Sequence, residues 1–144
     1  MPDPTVKKTM SEQTPRIMAH LDELSAAYRD RDAGRYLACF ADPAFVYGTG
    51  ADEKCRGLSE IQAHIERDWA QSGSASFTLS DPTVAVLGTA AWVAADCHFD
   101  FRTAAGDCAA AGRATFVLEE IDGEWRLRHA HFSLPAPTAE GESF

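Results

Sequence analysis

The chain has few basic side chains for its length. Its 144 residues carry 13 lysines and arginines against 22 aspartates and glutamates, a formal net charge of -9 at pH 7. Such a protein is repelled at long range by the phosphates of nucleic acids and by anionic lipid headgroups. We therefore expect neither a nucleic acid nor a membrane surface as its partner.

Long apolar segments are also missing. No uninterrupted apolar stretch reaches the roughly 18 residues that a membrane-spanning helix needs, and the opening MPDPTVKKTMSEQ lacks the apolar core of a signal peptide. A cytoplasmic protein is expected. Apolar residues nevertheless make up 45% of the chain, enough for one domain around a single core.

The four cysteines lack the spacing of a metal or redox motif, since none forms a CxxC pair. A domain of this size does not depend on disulfides, so we expect reduced thiols, no bound metal and no other cofactor. A disulfide between Cys97 and Cys108 is the alternative, if a hairpin brings the two together.

Helical signals are confined to the first half of the sequence. Thr14 and Pro15 supply a helix cap and a first-turn proline, the segment RYLACF predicts a second, short helix, and Ser59 with Gln62 fits a capping box. Apolar residues recur at helical spacing after the first and third of these signals: Ile17, Leu21, Leu24 and Tyr28, then Ile61, Ile65 and Trp69.

From Ser74 onward the apolar period changes from helical to two, and Gly- or Asp-containing turns divide the rest into hairpins. Helices followed by an antiparallel meander predict an α+β fold. Residues 14–136 are assigned to one domain, preceded by a frayed or disordered lead-in at 1–13 and followed by a flexible tail at 137–144.

The strand AAWVAADCHFDF separates into two faces by parity. One face carries small and aromatic residues and is predicted to be buried, either packed on helices or lining an apolar cavity: Ala91, Val93, Ala95, Cys97, Phe99 and Phe101. The opposite face carries Trp92, Asp96, His98 and Asp100, and we expect it to point outward.

The segment HAHFSLP places two histidines, His129 and His131, in the last strand. A two-residue turn at Asp122-Gly123 pairs Phe116 with His129, whereas a three-residue turn pairs Phe116 with Arg128. In the second register Phe132 joins the side of Phe116, and both histidines share a face with Thr115, Val117 and Leu127. The residues alone permit both turns.

Several segments together resemble the SnoaL-like domains of the nuclear transport factor 2-like superfamily. They are FADPAFVYGTG, CRGLSEI, VLGTAAWVAAD and GRATFVLEEIDGEWRLRHAHFSLP, and the DGxW...HxHxS ending is the most specific of them. The resemblance implies three N-terminal helices packed on a strongly curved antiparallel sheet, a cone with an internal pocket that commonly forms a homodimer.

Two relatives refine this expectation. In the kinase II association domain of the superfamily, pocket arginines align with Cys97, Phe116 and Phe132, which implies that these positions face the cavity and selects the three-residue turn. That register turns Arg128 toward the cavity mouth. In the steroid isomerases, the general base aligns with Gly48, which cannot abstract a proton, and their helix-borne tyrosine aligns near Ala27, one step from Tyr28.

The resemblance and the strand parity together give a set of candidate site residues. The predicted pocket residues are Tyr28, Trp69, Cys97, Phe99, Phe116, Arg128 and Phe132. The predicted residues of the outer face, or of a dimer interface, are Asp96, His98, His129 and His131. A metal held by His129 and His131 with His98 or Asp96, and a base formed by Asp96 and His98, are the functional alternatives for that face.

Three functions follow, because this fold hosts many activities. The first is binding of a small apolar or weakly polar molecule. The second is an isomerase, dehydratase or polyketide cyclase acting on an apolar carbonyl compound. The third is a dimerisation or assembly module. Two carboxylates, or a histidine and an aspartate, converging in the cavity would favour the enzyme, and a wholly apolar lining would favour binding.

Overall fold

The computed structural model describes residues 4–137, with side chains from residue 12 onward. The elements are α1 (Pro4–Arg29), α2 (Ala33–Ala38), β1 (Phe40–Tyr47), β2 (Lys54–Arg56), α3 (Leu58–Ala70), β3 (Ser74–Leu87), β4 (Ala90–Thr103), β5 (Gly106–Ile121) and β6 (Glu124–Ser133). The predicted tail lies outside the described residues, apart from residue 137, as do residues 1–3 of the predicted lead-in.

The six strands form one curved, open sheet in the order β2-β1-β6-β5-β4-β3. Every neighbouring pair is antiparallel except β1 and β6, which run parallel. The three helices pack on one face of this sheet and close a single apolar core. The predicted α+β cone is confirmed. None of the helices in the described range is long and apolar enough to cross a membrane.

Helix α1 begins at Pro4, ten residues before the predicted cap at Thr14, so that Pro15 lies inside the helix. Gln13 anchors the turn before this proline, because its buried side-chain oxygen accepts hydrogen bonds from Trp125 Nε1 (2.5 Å) and from Arg16 (2.9 Å). This tertiary anchor offsets the hydrogen bond that a proline removes from a helix.

Helix α3 has the predicted apolar face, since Ile61, Ile65 and Trp69 are all buried. Its start differs from the prediction. The helix begins at Leu58 after Gly57, whose φ of 90° is left-handed, and no side chain caps it. The predicted capping box at Ser59 therefore does not form.

Strand β4 alternates as its parity predicts. The residues of the apolar face from Ala91 to Phe99 are buried, and Phe101 packs at the edge of the same core. Trp92, Asp96, His98 and Asp100 lie on the other, exposed face. The Asp81-Pro82 dipeptide, which predicts an interruption of the strand, does not end β3: the strand continues through it with a bulge between Ser80 and Thr83.

The observed register of the last hairpin differs from both predicted registers. Ile121 pairs with Glu124 across a two-residue turn, and the extra residue lies further along β6, because Val117 pairs with His129 and Leu118 with Leu127. Arg128 is thus the bulged residue. A bulge exchanges the two faces of a strand, which explains how Leu127 and Phe132, of opposite parity, are both buried.

Because of this bulge, substitutions at the neighbouring positions 127 and 128 should differ in their effect on stability. Leu127→Ala should lower the free energy of unfolding by about 2–5 kcal/mol, because it empties a fully buried site. Arg128→Ala should lower it by no more than about 1 kcal/mol, since it removes a partly exposed ion pair with Glu119 and an exposed hydrogen bond to the carbonyl of Pro43. Urea unfolding of both variants measures the difference. Equal losses would contradict the observed register.

Candidate functional site

A cavity of about 190 Å³ lies between the helices and the inner face of the sheet. Aromatic and aliphatic side chains form most of its wall: Tyr28, Tyr36, Val46, Ile65, Phe77, Phe99, Phe101, Phe132 and Leu134. Such a wall favours an apolar ligand. The size suits a compact molecule of one or two rings, because an engineered cavity of about 150 Å³ already holds benzene.

Phe132 lies at the centre of the aromatic wall. Its ring centroid is 5.4 Å from that of Phe77, 5.7 Å from that of Phe116 and 6.1 Å from that of Phe99, all in edge-to-face contacts. Because each of the four rings comes from a different strand, these contacts hold the cavity wall in one arrangement.

The cavity has a polar end, formed by α1 and α3. Tyr28 Oη donates a hydrogen bond of 2.9 Å to Asp68 Oδ2, and His64 Nε2 lies 3.4 Å from the same oxygen. His64 and Asp68 are one turn apart on α3, so their side chains share a face. The side chains are 14% and 22% exposed, respectively. These groups are therefore largely withdrawn from water but reach the cavity.

Burial shifts the pKa values of the side chains at the polar end of the cavity. It raises the pKa of Asp68 above its usual value, more than the neighbouring His64 and the hydrogen bond from Tyr28 lower it. Burial, and then the charge of Asp68, raises the pKa of Tyr28 well above its ordinary value. The tyrosine is therefore a neutral hydrogen-bond donor at physiological pH.

Glu53 adds a second carboxylate from the loop between β1 and β2. Its side chain accepts a hydrogen bond of 2.8 Å from the backbone N–H of Gly50, and it lies 3.8 Å from Arg67. The loop is closed by a 2.8 Å bond from Gly48 N–H to the Glu53 carbonyl. A Cβ at Gly48 would overlap this carboxylate, so any side chain at this position would displace the Glu53 carboxylate from its observed place.

Glu53, His64 and Asp68 each contribute one ligand-type atom, and these atoms all lie within 4.8 Å of one another. No other group of three such residues occurs in the described part of the chain. His64 Nδ1 is buried and has no hydrogen-bond partner. The polar end thus combines two carboxylates and an imidazole beside an apolar cavity.

The predicted pocket residues lie in three different places. Tyr28, Phe99 and Phe132 line the cavity. Trp69, Cys97 and Phe116 are buried in the core but do not line the cavity.

Arg128, which the predicted register placed at the cavity mouth, points away from it. Its guanidinium donates to Glu119 (2.7 Å) and to the carbonyl of Pro43 (2.8 Å). The bulge is the physical reason, because it turns the bulged residue outward and leaves Leu127 in the core.

The histidines of HAHFSLP lie on the outer face of the sheet. His129 Nδ1 is 2.8 Å from the carbonyl oxygen of Phe45, and the rings of Phe45 and Tyr47 pack against it. Asp96 and His98 are exposed on the same face, and His98 pairs with Asp100 at 3.3 Å. These side chains have no access to the cavity.

Sequence reasoning missed Glu53, His64 and Asp68. A signal for two of them was present, because each lies directly before a buried residue of α3, Ile65 or Trp69, at the same spacing of four. Polar residues beside an apolar helix stripe lie at the edge of the buried face. Glu53 had no such signal, since a loop residue gives no periodicity.

All four cysteines are free thiols, so the alternative disulfide between Cys97 and Cys108 is absent. In β4 and β5, Cys97 faces Gly112 and Cys108 faces Phe101, four positions apart along the ladder. Burial raises the pKa of Cys97 to about 12 and that of Cys39 to about 11, whereas Cys108 is exposed at the cavity edge.

Alkylation should therefore be selective. At pH 8 iodoacetamide should modify Cys108 first, since a thiol with a pKa of about 11 or 12 has a thiolate fraction of only about one in a thousand or less. Peptide mass spectrometry locates the label, and Cys108→Ser should abolish the rapid phase. Rapid labelling of Cys97 in the folded protein would contradict the burial described above.

A curved open sheet, with three helices packed on one face and a cavity between them, defines the cone-shaped α+β proteins of the nuclear transport factor 2-like superfamily. Within it, the model of the SnoaL-like domain matches residues 17–137. The chain belongs to this SnoaL-like family. No curated protein matches the sequence significantly.

Solved structures share the whole fold at low sequence identity. A nuclear transport factor 2-like protein from Salmonella enterica is 22% identical, with a TM-score of 0.82 over 94% of this chain and 99% of its own. A Novosphingobium aromaticivorans protein provisionally assigned as a scytalone dehydratase is 14% identical, with a TM-score of 0.83 over 96% and 99%. A Pseudomonas putida protein of unknown function is 22% identical, with a TM-score of 0.77 over 93% and 94%.

Proposed function

We propose that this protein is an enzyme that binds a small, largely apolar carbonyl compound and moves a proton on it, as an isomerase or dehydratase does. The observation that carries the proposal is the convergence of His64, Asp68 and Glu53 at one end of the cavity. A cavity that only stored an apolar molecule would gain nothing from these groups, because withdrawing carboxylates from water costs free energy.

The two ends of the cavity supply different parts of the recognition. The aromatic wall around Phe132 would hold the hydrocarbon part of the ligand, and the polar end would hold its oxygen. The structural relative provisionally assigned as a scytalone dehydratase supports such a substrate class. Simple binding without catalysis is the competing function, and the experiment below separates the two.

Each polar residue has a role consistent with its surroundings. His64 and Asp68, paired at 3.4 Å, form a histidine–carboxylate pair of the kind that accepts a proton from carbon. Tyr28 is a positioning residue, because its hydroxyl holds Asp68 in one orientation. Removing the α proton of a β,γ-unsaturated ketone leaves a dienolate, and returning the proton to its γ carbon moves the double bond into conjugation and completes an isomerisation.

Deuterium exchange tests this chemistry before the natural substrate is known. With 1-indanone in D₂O, the wild-type protein should accelerate the exchange of the protons next to the carbonyl over buffer, as measured by proton NMR. Asp68→Asn and His64→Ala should each slow the protein-dependent rate by about 10²-fold or more, the usual contribution of an acid–base group. Tyr28→Phe should slow it less.

The matched control is His131→Ala, which removes an imidazole from the outer face and should leave the exchange rate unchanged. Circular dichroism would show that each variant remains folded. Saturable binding of 1-indanone with no exchange above buffer would favour simple binding, and exchange that survives in both Asp68→Asn and His64→Ala would exclude their catalytic role.

We also propose that the outer face of the sheet forms a homodimer interface. Phe45, His129, Val117 and Trp92 align across four neighbouring strands, and the three apolar members are each nearly 40% exposed. Apolar side chains grouped in this way mark interaction surfaces. The predicted interface residues Asp96, His98 and His131 would surround this row.

A charge placed in the row should separate the subunits. The wild-type protein should have twice the mass of the chain in size-exclusion chromatography with light scattering, and Trp92→Glu should have the mass of one chain. Ala63→Glu, an exposed position on helix α3 away from the outer face of the sheet, is the control and should remain dimeric. A monomeric wild-type protein would contradict the proposal.

A further inference from the structure

The described part of the chain offers several candidates for a further site. The groove between α1 and β6 contains Arg16, Arg35 and Arg126, but each already bonds to a carboxylate or a carbonyl of the chain. Cys108 is a single exposed thiol. The polar end of the cavity differs, because its three donor groups converge.

We propose that Glu53, His64 and Asp68 form a binding site for one divalent transition metal ion, with zinc as the best match. Imidazole nitrogen and carboxylate oxygen are ligands that zinc accepts, and three protein ligands with an open fourth position are the usual arrangement of its catalytic sites. The donor atoms here all lie within 4.8 Å of one another, so small side-chain rotations bring them around one ion.

The spacing of His64 and Asp68 supports an ion between them. Their 3.4 Å separation exceeds the roughly 2.7–2.9 Å of a good charge-assisted hydrogen bond. Two ligands at about 2.0–2.1 Å from a tetrahedral zinc are about 3.4 Å apart, as the bond lengths require. The pair therefore has the separation of an edge of a zinc coordination polyhedron.

The surroundings of the two carboxylates also fit a metal site. Asp68 accepts a hydrogen bond from Tyr28, and Glu53 accepts one from the backbone of Gly50. Metal-binding carboxylates are usually oriented by such outer hydrogen bonds. Two carboxylates close together in a half-buried place repel each other, and Arg67, which lies 3.8 Å from Glu53, is a half-exposed and therefore screened counter-charge. A divalent cation would neutralise both.

An ion held in this way would face the cavity, where its open positions could polarise the oxygen of a ligand. The metal site would lie in the same cavity as the proposed reaction but requires different chemistry. Proton exchange by the metal-free protein would support the proposed function even if no metal binds. Metal binding without proton exchange would support the metal site but not the proposed function.

Zinc titration of the metal-free protein tests the site directly. Isothermal calorimetry should give one Zn²⁺ per chain, and His64→Ala, Glu53→Gln and Asp68→Asn should each weaken binding by more than about 100-fold. Tyr28→Phe should weaken it by about tenfold, the lower limit for loss of an outer hydrogen bond. Co²⁺ should give the visible absorption of a tetrahedral site, lost in the same three variants.

Two controls separate this site from the protein surface. His131→Ala removes an outer-face histidine, and Asp52→Asn removes an exposed carboxylate 3.9 Å from Arg67; both should bind zinc as the wild type does. Because Glu53→Gln and Asp68→Asn preserve shape, their thermal unfolding should resemble that of the wild type without metal. Absence of stoichiometric zinc, or binding retained in Glu53→Gln and Asp68→Asn, would overturn the proposal.

Discussion

The packing of helix α3 against the inner face of the sheet is the constraint on which the site depends. Ile61, Ile65 and Trp69 must be buried together, and this fixes the rotation of the helix about its axis. Once the rotation is fixed, His64 and Asp68 are carried to the edge of the buried face, beside Tyr28 of α1. The polar end of the cavity follows from the burial of an apolar stripe.

Most of the fold could be predicted from periodicity. The burial of Phe99 but not His98 needed only the alternation of β4, and the apolar face of α3 needed only spacings of four. The bulge at Arg128 could not be predicted, because a single inserted residue leaves no mark in composition and reverses the parity of every position after it. For this reason the register predicted from the sequence turns Arg128 toward the cavity mouth, although it correctly predicts that Phe132 faces inward.

Less of the candidate site than of the fold could be predicted from the sequence. Tyr28 and the aromatic wall could be found because a cavity lining and a core have the same apolar pattern, and for the same reason Trp69 and Phe116 could not be told from lining residues. Glu53 reaches the cavity through a loop closed by backbone hydrogen bonds. Only the three-dimensional course of the chain brings it to α3.

Gly48 links the end of β1 to the position of the Glu53 carboxylate. Its missing side chain leaves the space that the carboxylate of Glu53 occupies, and position 48, directly after β1, is where the resemblance to steroid isomerases places their general base. An acid at position 48 and the observed position of the Glu53 carboxylate therefore exclude each other, because the two side chains would overlap.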